Sequence, residues 1–131
     1  MDCTPTYITE LNENEIFVFG SNLAGRHGAG AAKIALKWGA VYGQGVGLHG
    51  NTYAIPTKDG QIKTLPINII KQFVDDFILF AENNTELKFL VTAIGCGLAG
   101  YKETDIAPLF KDCVKLHNVV LPMTFIEVLN S

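Results

Sequence analysis

The chain predicts an α/β fold: a three-layer α/β/α sandwich built on a mixed, mostly parallel sheet. Three observations carry that expectation. Short apolar runs rich in strand formers alternate with segments of helical periodicity, the pattern of right-handed βαβ units. Nine of the thirteen glycines lie between Gly20 and Gly50 and three more between Gly95 and Gly100, and each cluster follows one of the apolar runs. Finally, 131 residues with 48% hydrophobic content suffice for one domain, residues 1–131, with a real core and no linker or repeat.

The first run is Ile16–Phe19, a strand ended by Gly20. From about Gly30 to Trp38, Ala31, Ile34, Ala35 and Trp38 share one helical face, with Gly39 as the C-cap. Thr52–Thr57 reads as a strand whose Pro56 confines its end to an edge or terminus, followed by a turn at Lys58, Asp59 and Gly60. A helix begins near Pro66, its stripe formed by Ile67, Ile70, Phe73, Val74, Phe77 and Phe80 or Ala81. Lys88–Ile94 is nearly all apolar, as a strand covered on both faces would be, and is the expected central strand. Thr104 is placed as N-cap of a helix to about Lys115, and the closing segment Met123–Leu129, rich in Val, Ile and Phe, is expected as a last strand around Thr124.

Composition narrows the function. Charged residues make up 18% of the chain and the formal net charge is −3, which argues against sequence-general nucleic-acid binding. No apolar run reaches the roughly 18 residues of a membrane span, and the opening MDCTPTYITE lacks the blocks of a signal peptide, so a cytoplasmic protein with no membrane partner is expected. Cys3, Cys96 and Cys113 form no close pair and are read as free thiols; no metal site and no cofactor are expected.

The loop Gly20–Lys33 follows a strand and opens a helix, the setting in which backbone N–H groups bind anions. Two standard motifs fail there. Gly25 and Gly30 have P-loop spacing, but Ala31 and Ala32 stand where Lys and Ser or Thr must hold phosphate and Mg²⁺. Gly28 and Gly30 begin a dinucleotide fingerprint that Lys33 breaks, with no acidic residue at the ribose position. The second loop, Ile94–Tyr101, leaves the most apolar strand and faces the same crevice; two such loops together can grip two phosphates. Tyr101 either stacks on a sugar or base or packs between helix and sheet.

These segments resemble the macrodomain superfamily. GSNLAGRHGAGAAKIAL is similar to the first ligand loop of macrodomains and IGCGLAGY to the second, over a resemblance running from about Ile16 to Leu129. The likeness is strongest to the terminal ADP-ribose protein glycohydrolase branch, which shares a GAG-type first loop, a Thr-Lys strand end matching Thr57 and Lys58, and an IGCGL second loop. It implies a macrodomain-like fold that binds ADP-ribose or a related nucleotide diphosphate sugar, with an ADP-ribosylated protein as a further candidate partner.

Carried over residue by residue, the resemblance implies that Gly28, Ala29, Gly30 and Ala31 wrap the distal ribose and phosphate and that Gly95, Cys96, Gly97 and Leu98 hold the diphosphate, with Ala99, Gly100 and Tyr101 completing the loop. Asn22 matches the last Asn of the family's NAAN-like strand end, and Lys58 matches the lysine that attacks the anomeric carbon. The assisting aspartate is replaced by Ala99, and the aspartate that binds the adenine amino group is replaced by Tyr7. Binding with weak or no turnover is therefore expected ahead of an ADP-ribosyl glycohydrolase that uses Lys58. The third reading is a phage- or defence-associated interaction protein that has lost the ligand.

Several residues carry two readings independently of the family. Lys58 is either a site residue or part of a solvated turn. Cys96 is a nucleophile only if loop N–H groups and His27 or His49 favour its thiolate, and is otherwise an inert buried thiol. Arg26, the only arginine, offers a planar fork to a phosphate or stands exposed. The stretch around His49 is either a lid or a local strand pair.

Overall fold

The computed structural model describes residues 2–131. It is an α/β fold with a five-stranded, mostly parallel mixed sheet and four α-helices. The elements in chain order are β1 (Glu15–Asn22), α1 (Gly30–Ala35), β2 (Gly47–His49), β3 (Thr52–Lys58), α2 (Ile67–Glu82), β4 (Lys88–Val91), α3 (Glu103–Ile106), β5 (Val119–Val120) and α4 (Met123–Leu129). Single stretches of 3₁₀-helix extend α1 (Leu36–Trp38) and α3 (Ala107–Lys115).

The sheet order is β2-β3-β1-β4-β5; β1 runs parallel to β3 and β4, β5 runs parallel to β4, and only the edge strand β2 is antiparallel. The centre is β1 rather than the expected Lys88–Ile94 strand. β4 stops at Val91, because Ile94 N–H turns back to the Thr92 carbonyl. Pairing between β2 and β3 ends at Ala54, so Pro56, which has no N–H to donate, lies where β3 has lost its outer neighbour.

Alternation along β1 sends side chains to two apolar clusters. Ile16 and Val18 join the larger one with α2, the second 3₁₀ stretch and α4, whereas Phe17 and Phe19 join the smaller one with Ala32, Ala35 and Ala40. The larger cluster holds a chain of rings: Phe77 contacts Tyr53, Phe89 and Phe110, and Phe110 contacts Phe125. Each of these four Phe side chains is fully buried, worth about 1.5–3 kcal/mol apiece.

Helix α2 starts after Pro66 as expected and buries Ile70, Val74, Phe77, Ile78 and Ala81. In α1 the buried face is Ala32 and Ala35, while Ile34 is 48% exposed; the small side chains lie against Phe17 and Phe19. Gly39 caps that segment at φ 111°. The third helix starts one residue before the expected Thr104 cap, because the Asp105 carboxylate accepts the Lys102 N–H. It becomes 3₁₀ from Ala107, where Pro108 offers no N–H to continue an α ladder.

The expectation that fails outright is the last strand. Met123–Leu129 is a helix entered from Pro122, with Phe125 fully buried on Phe110, and the closing strand is the two-residue β5 just before it. Thr124 therefore lies in α4. Among the described residues no helix is long and apolar enough to cross a membrane, and no cluster of His, Cys, Asp and Glu could hold a metal ion.

Candidate ligand-binding cleft

The parallel strands lie in the order β3-β1-β4-β5, so the chain passes from β1 to β3 on one side and then crosses back to β4 on the other. The crevice at such a switch point lies beyond the strands' carboxyl ends, and a cavity of about 520 Å³ opens there. It is lined by the end of β1, the loop into α1, Thr57 and Lys58 at the end of β3, and the segment Thr92–Ala99 after β4. Both glycine-rich loops thus meet in one cleft.

Each loop is supported by a neighbouring segment. The first is held in shape by Asn22, whose amide oxygen accepts the Arg26 N–H at 2.9 Å and whose amide nitrogen donates to the Arg26 carbonyl at 3.0 Å. Residues 41–46 then lie along its outer side. The Ser21 hydroxyl donates to the Gly45 carbonyl, Gly43 N–H donates to the Gly25 carbonyl, and His27 Nε2 is 3.0 Å from the carbonyls of both Val41 and Gln44. Only a protonated Nε2 satisfies two carbonyls, so the ring takes the Nε2–H form, with Nδ1 buried and unpartnered. Contact here is backbone against backbone: a Cβ on Gly45 would overlap the Asn22 carbonyl oxygen.

The second loop rests on residues 59–65. Thr64 donates its hydroxyl to the Ala99 carbonyl at 2.9 Å, and Tyr101 donates its hydroxyl to the Leu65 carbonyl. Asp59 organises that turn: its Oδ1 accepts the N–H groups of Gln61 and Lys63, which hold its carboxyl below the usual carboxylate range.

The lining sets the chemistry. Arg26 and Lys58 are its charged side chains, and no Asp or Glu belongs to it. Backbone N–H groups of Gly28, Ala29, Gly30 and Ala31 in the first loop, and of Gly95, Gly97, Leu98 and Ala99 in the second, have no backbone acceptor among the described residues. Two cations and free amide donors on both sides suit an anion. Gly30 has φ +60° and nothing within 4 Å of a hypothetical Cβ, so its backbone is open to the cleft.

Of the residues named from sequence, the cleft gathers Asn22, Arg26, Gly28, Ala29, Gly30, Ala31, Lys58, Gly95, Gly97, Leu98 and Ala99. Cys96, Gly100 and Tyr101 are not in its lining. Tyr101 packs on the larger core with its hydroxyl on Leu65, so its role is to support the loop. Burial, helped by Glu103 and Asp105, pushes the Cys96 thiol up to about 11, which disfavours the thiolate a nucleophile would need. The Asn22 amide, though at the cleft, hydrogen-bonds the Arg26 backbone through both its oxygen and its nitrogen. Tyr7 is 87% exposed and lies outside the cleft, and His49 belongs to β2 rather than to a lid.

Sequence reasoning missed Tyr42 and Ile62, which also line the cavity. Tyr42 comes from the segment that supports the first loop, and its ring lies edge-on to His27. Nothing in the local sequence marks either residue: Tyr42 reaches the cleft by long-range packing, and Ile62 through the turn that Asp59 folds beside Lys58.

Fold and cleft together define an α/β protein with a cationic, donor-rich cleft at the switch point of its sheet. No protein-family model matches the chain, and neither the curated proteins nor the solved structures hold a match.

Proposed function

We propose that the chain is a macrodomain-like, three-layer α/β/α domain that binds ADP-ribose or a related nucleotide diphosphate sugar, with slow or no turnover. The observation that carries this reading is the single cleft formed by both glycine-rich loops, with Arg26 and Lys58 as its charged side chains. Free N–H groups from the two loops would bind the diphosphate oxygens, and the cations would strengthen those bonds by charge assistance. An ADP-ribosylated protein is the partner this reading implies.

Lys58 lines the cleft, so attack on an anomeric carbon is within its reach on this reading. Departure of the leaving group also needs a proton, and the lining holds no carboxyl group to give one. Of the acids near Lys58 and Ala99 in sequence, Asp59 is engaged in its own turn and Asp105 on the Lys102 N–H, and Glu103 is outside the lining. Binding without rapid hydrolysis follows.

Calorimetric titration with ADP-ribose, and with analogues that differ only in the base, tests the reading. Heat of binding that survives a change of base is expected, since Tyr7 stands outside the cleft. Absence of heat for every ligand at millimolar concentration overturns it. Lys58→Ala should alter affinity for free ADP-ribose by less than about tenfold, roughly 1.4 kcal/mol.

A further inference from the structure

Ile62 is the one non-glycine residue with positive φ among the described residues, at +64°. A β-branched side chain in the left-handed region is a genuine outlier, and such residues persist only where the surroundings impose them. Here the turn that opens at Lys58 imposes it. Asp59 N–H donates to the Lys63 carbonyl at 2.8 Å, Ile62 N–H donates to the Asp59 carbonyl at 3.1 Å, and the Asp59 carboxylate holds the N–H groups of Gln61 and Lys63. A Lys58–Thr64 bridge closes the turn, and Thr64 fastens it to Ala99 in the second loop.

Glycine or asparagine would take this backbone conformation at little cost. The isoleucine is not repaid by core packing: it belongs to neither apolar cluster and is 39% exposed. Ile62 does line the cleft, whose wall it shares with Lys58, the residue four positions back in the same turn.

We infer that Ile62 is a specificity-determining residue of the cleft, held by the Asp59 turn over the Lys58 end of the site, where its side chain packs on the terminal sugar of the bound ligand. The inference rests on the proposed nucleotide-sugar reading and deepens it. The apolar C–H face of a ribose suits an aliphatic side chain, whereas the diphosphate is served by the N–H groups and cations of the loops. Ile62 should therefore discriminate between ligands that carry the terminal sugar and ligands that lack it.

The experiment compares wild type with Ile62→Gly and Ile62→Asn, titrating each with ADP-ribose and with ADP, which has the same base and diphosphate but no terminal ribose. Both variants suit a left-handed backbone, and thermal melting at or above the wild-type midpoint is expected for Ile62→Gly. The expected result is a loss of ADP-ribose affinity of about tenfold or more in both variants, with ADP affinity unchanged. Variants that bind ADP-ribose as wild type does, or that lose both ligands equally, overturn this inference alone. A wild-type chain that binds neither nucleotide overturns the proposed function and this inference with it.

Discussion

The two walls of the cleft are built differently. On the first, polar side chains and main chain fit tightly together: Asn22 grips the backbone of Arg26, His27 reaches two carbonyls, and Gly25 and Gly45 allow two segments to touch where no Cβ would fit. On the second, two hydroxyls, from Thr64 and Tyr101, tie the loop to the turn beneath it, while Gly97 has open space around it and Leu98 is exposed. The contrast shows that glycine clusters at a binding cleft need not share one cause. On the first wall Gly25 and Gly45 permit packing of the loop on its supporting segment, whereas Gly28, Gly30 and, in the second loop, Gly97 leave the backbone open to whatever occupies the cleft.

The largest test of that contrast is Gly45→Ala. The new methyl group would overlap the Asn22 carbonyl oxygen and stand 3.2 Å from Gly25 N, so the supporting segment must move. A loss of about 3 kcal/mol in urea unfolding is expected, with loss of ligand binding. Asn22→Ala should come next. It strips two hydrogen bonds from a buried side chain and leaves the Arg26 backbone groups short of partners, for about 2 kcal/mol. If either change proves neutral in a denaturant melt, the first wall is not the rigid one.

On the second wall effects should be small. Thr64→Val removes one exposed hydrogen bond and should cost no more than about 1 kcal/mol. Gly97→Ala, with nothing near its Cβ, should leave stability within about 0.5 kcal/mol. The same glycine-to-alanine change would then be severe on one wall and silent on the other, and equal effects would erase the distinction.

Alkaline pH gives the smallest effect near neutrality. Burial raises the Cys96 thiol to about 11 and the Cys113 thiol to about 12, assisted by nearby carboxylates in both cases. The folded chain therefore holds these protons more tightly than the unfolded chain, whose thiols titrate near about 8.5. The stability this represents is fully present below that pH and is lost as pH rises through about 11 and about 12. Urea melts should match between about pH 6 and 8 and weaken above about pH 9, and thiolate absorbance from Cys96 should be absent at pH 8. Early titration of Cys96 would mean that the second loop opens it to water.

Much of this was legible in sequence, because the signals were long or strongly punctuated. Sixteen residues of α2 carry several turns of apolar periodicity, β1 and β3 contain the expected apolar runs, although β1 continues past Gly20 to Asn22 by pairing with β3, and the order of the glycine clusters placed two loops at one end of the sheet. The C-terminal segment was not legible. Val, Ile and Phe suggested a strand, yet Pro122 opens a helix and Phe125 completes the ring cluster with Phe110, so tertiary burial outweighed local preference. β5, at two residues, is too short to show any period.

The sequence by itself determined which segments are apolar enough to be strands and helices and which loops are rich in glycine, since these depend on side chains close together in the chain. Only the tertiary structure decided that β1 rather than β4 is central, that residues 41–46 and 59–65 support the two loops, and that Tyr42 and Ile62 join the cleft. The reason is physical: those outcomes depend on contacts such as Ser21 with Gly45 or Thr64 with Ala99, between groups 24 and 35 residues apart, and no local preference encodes them.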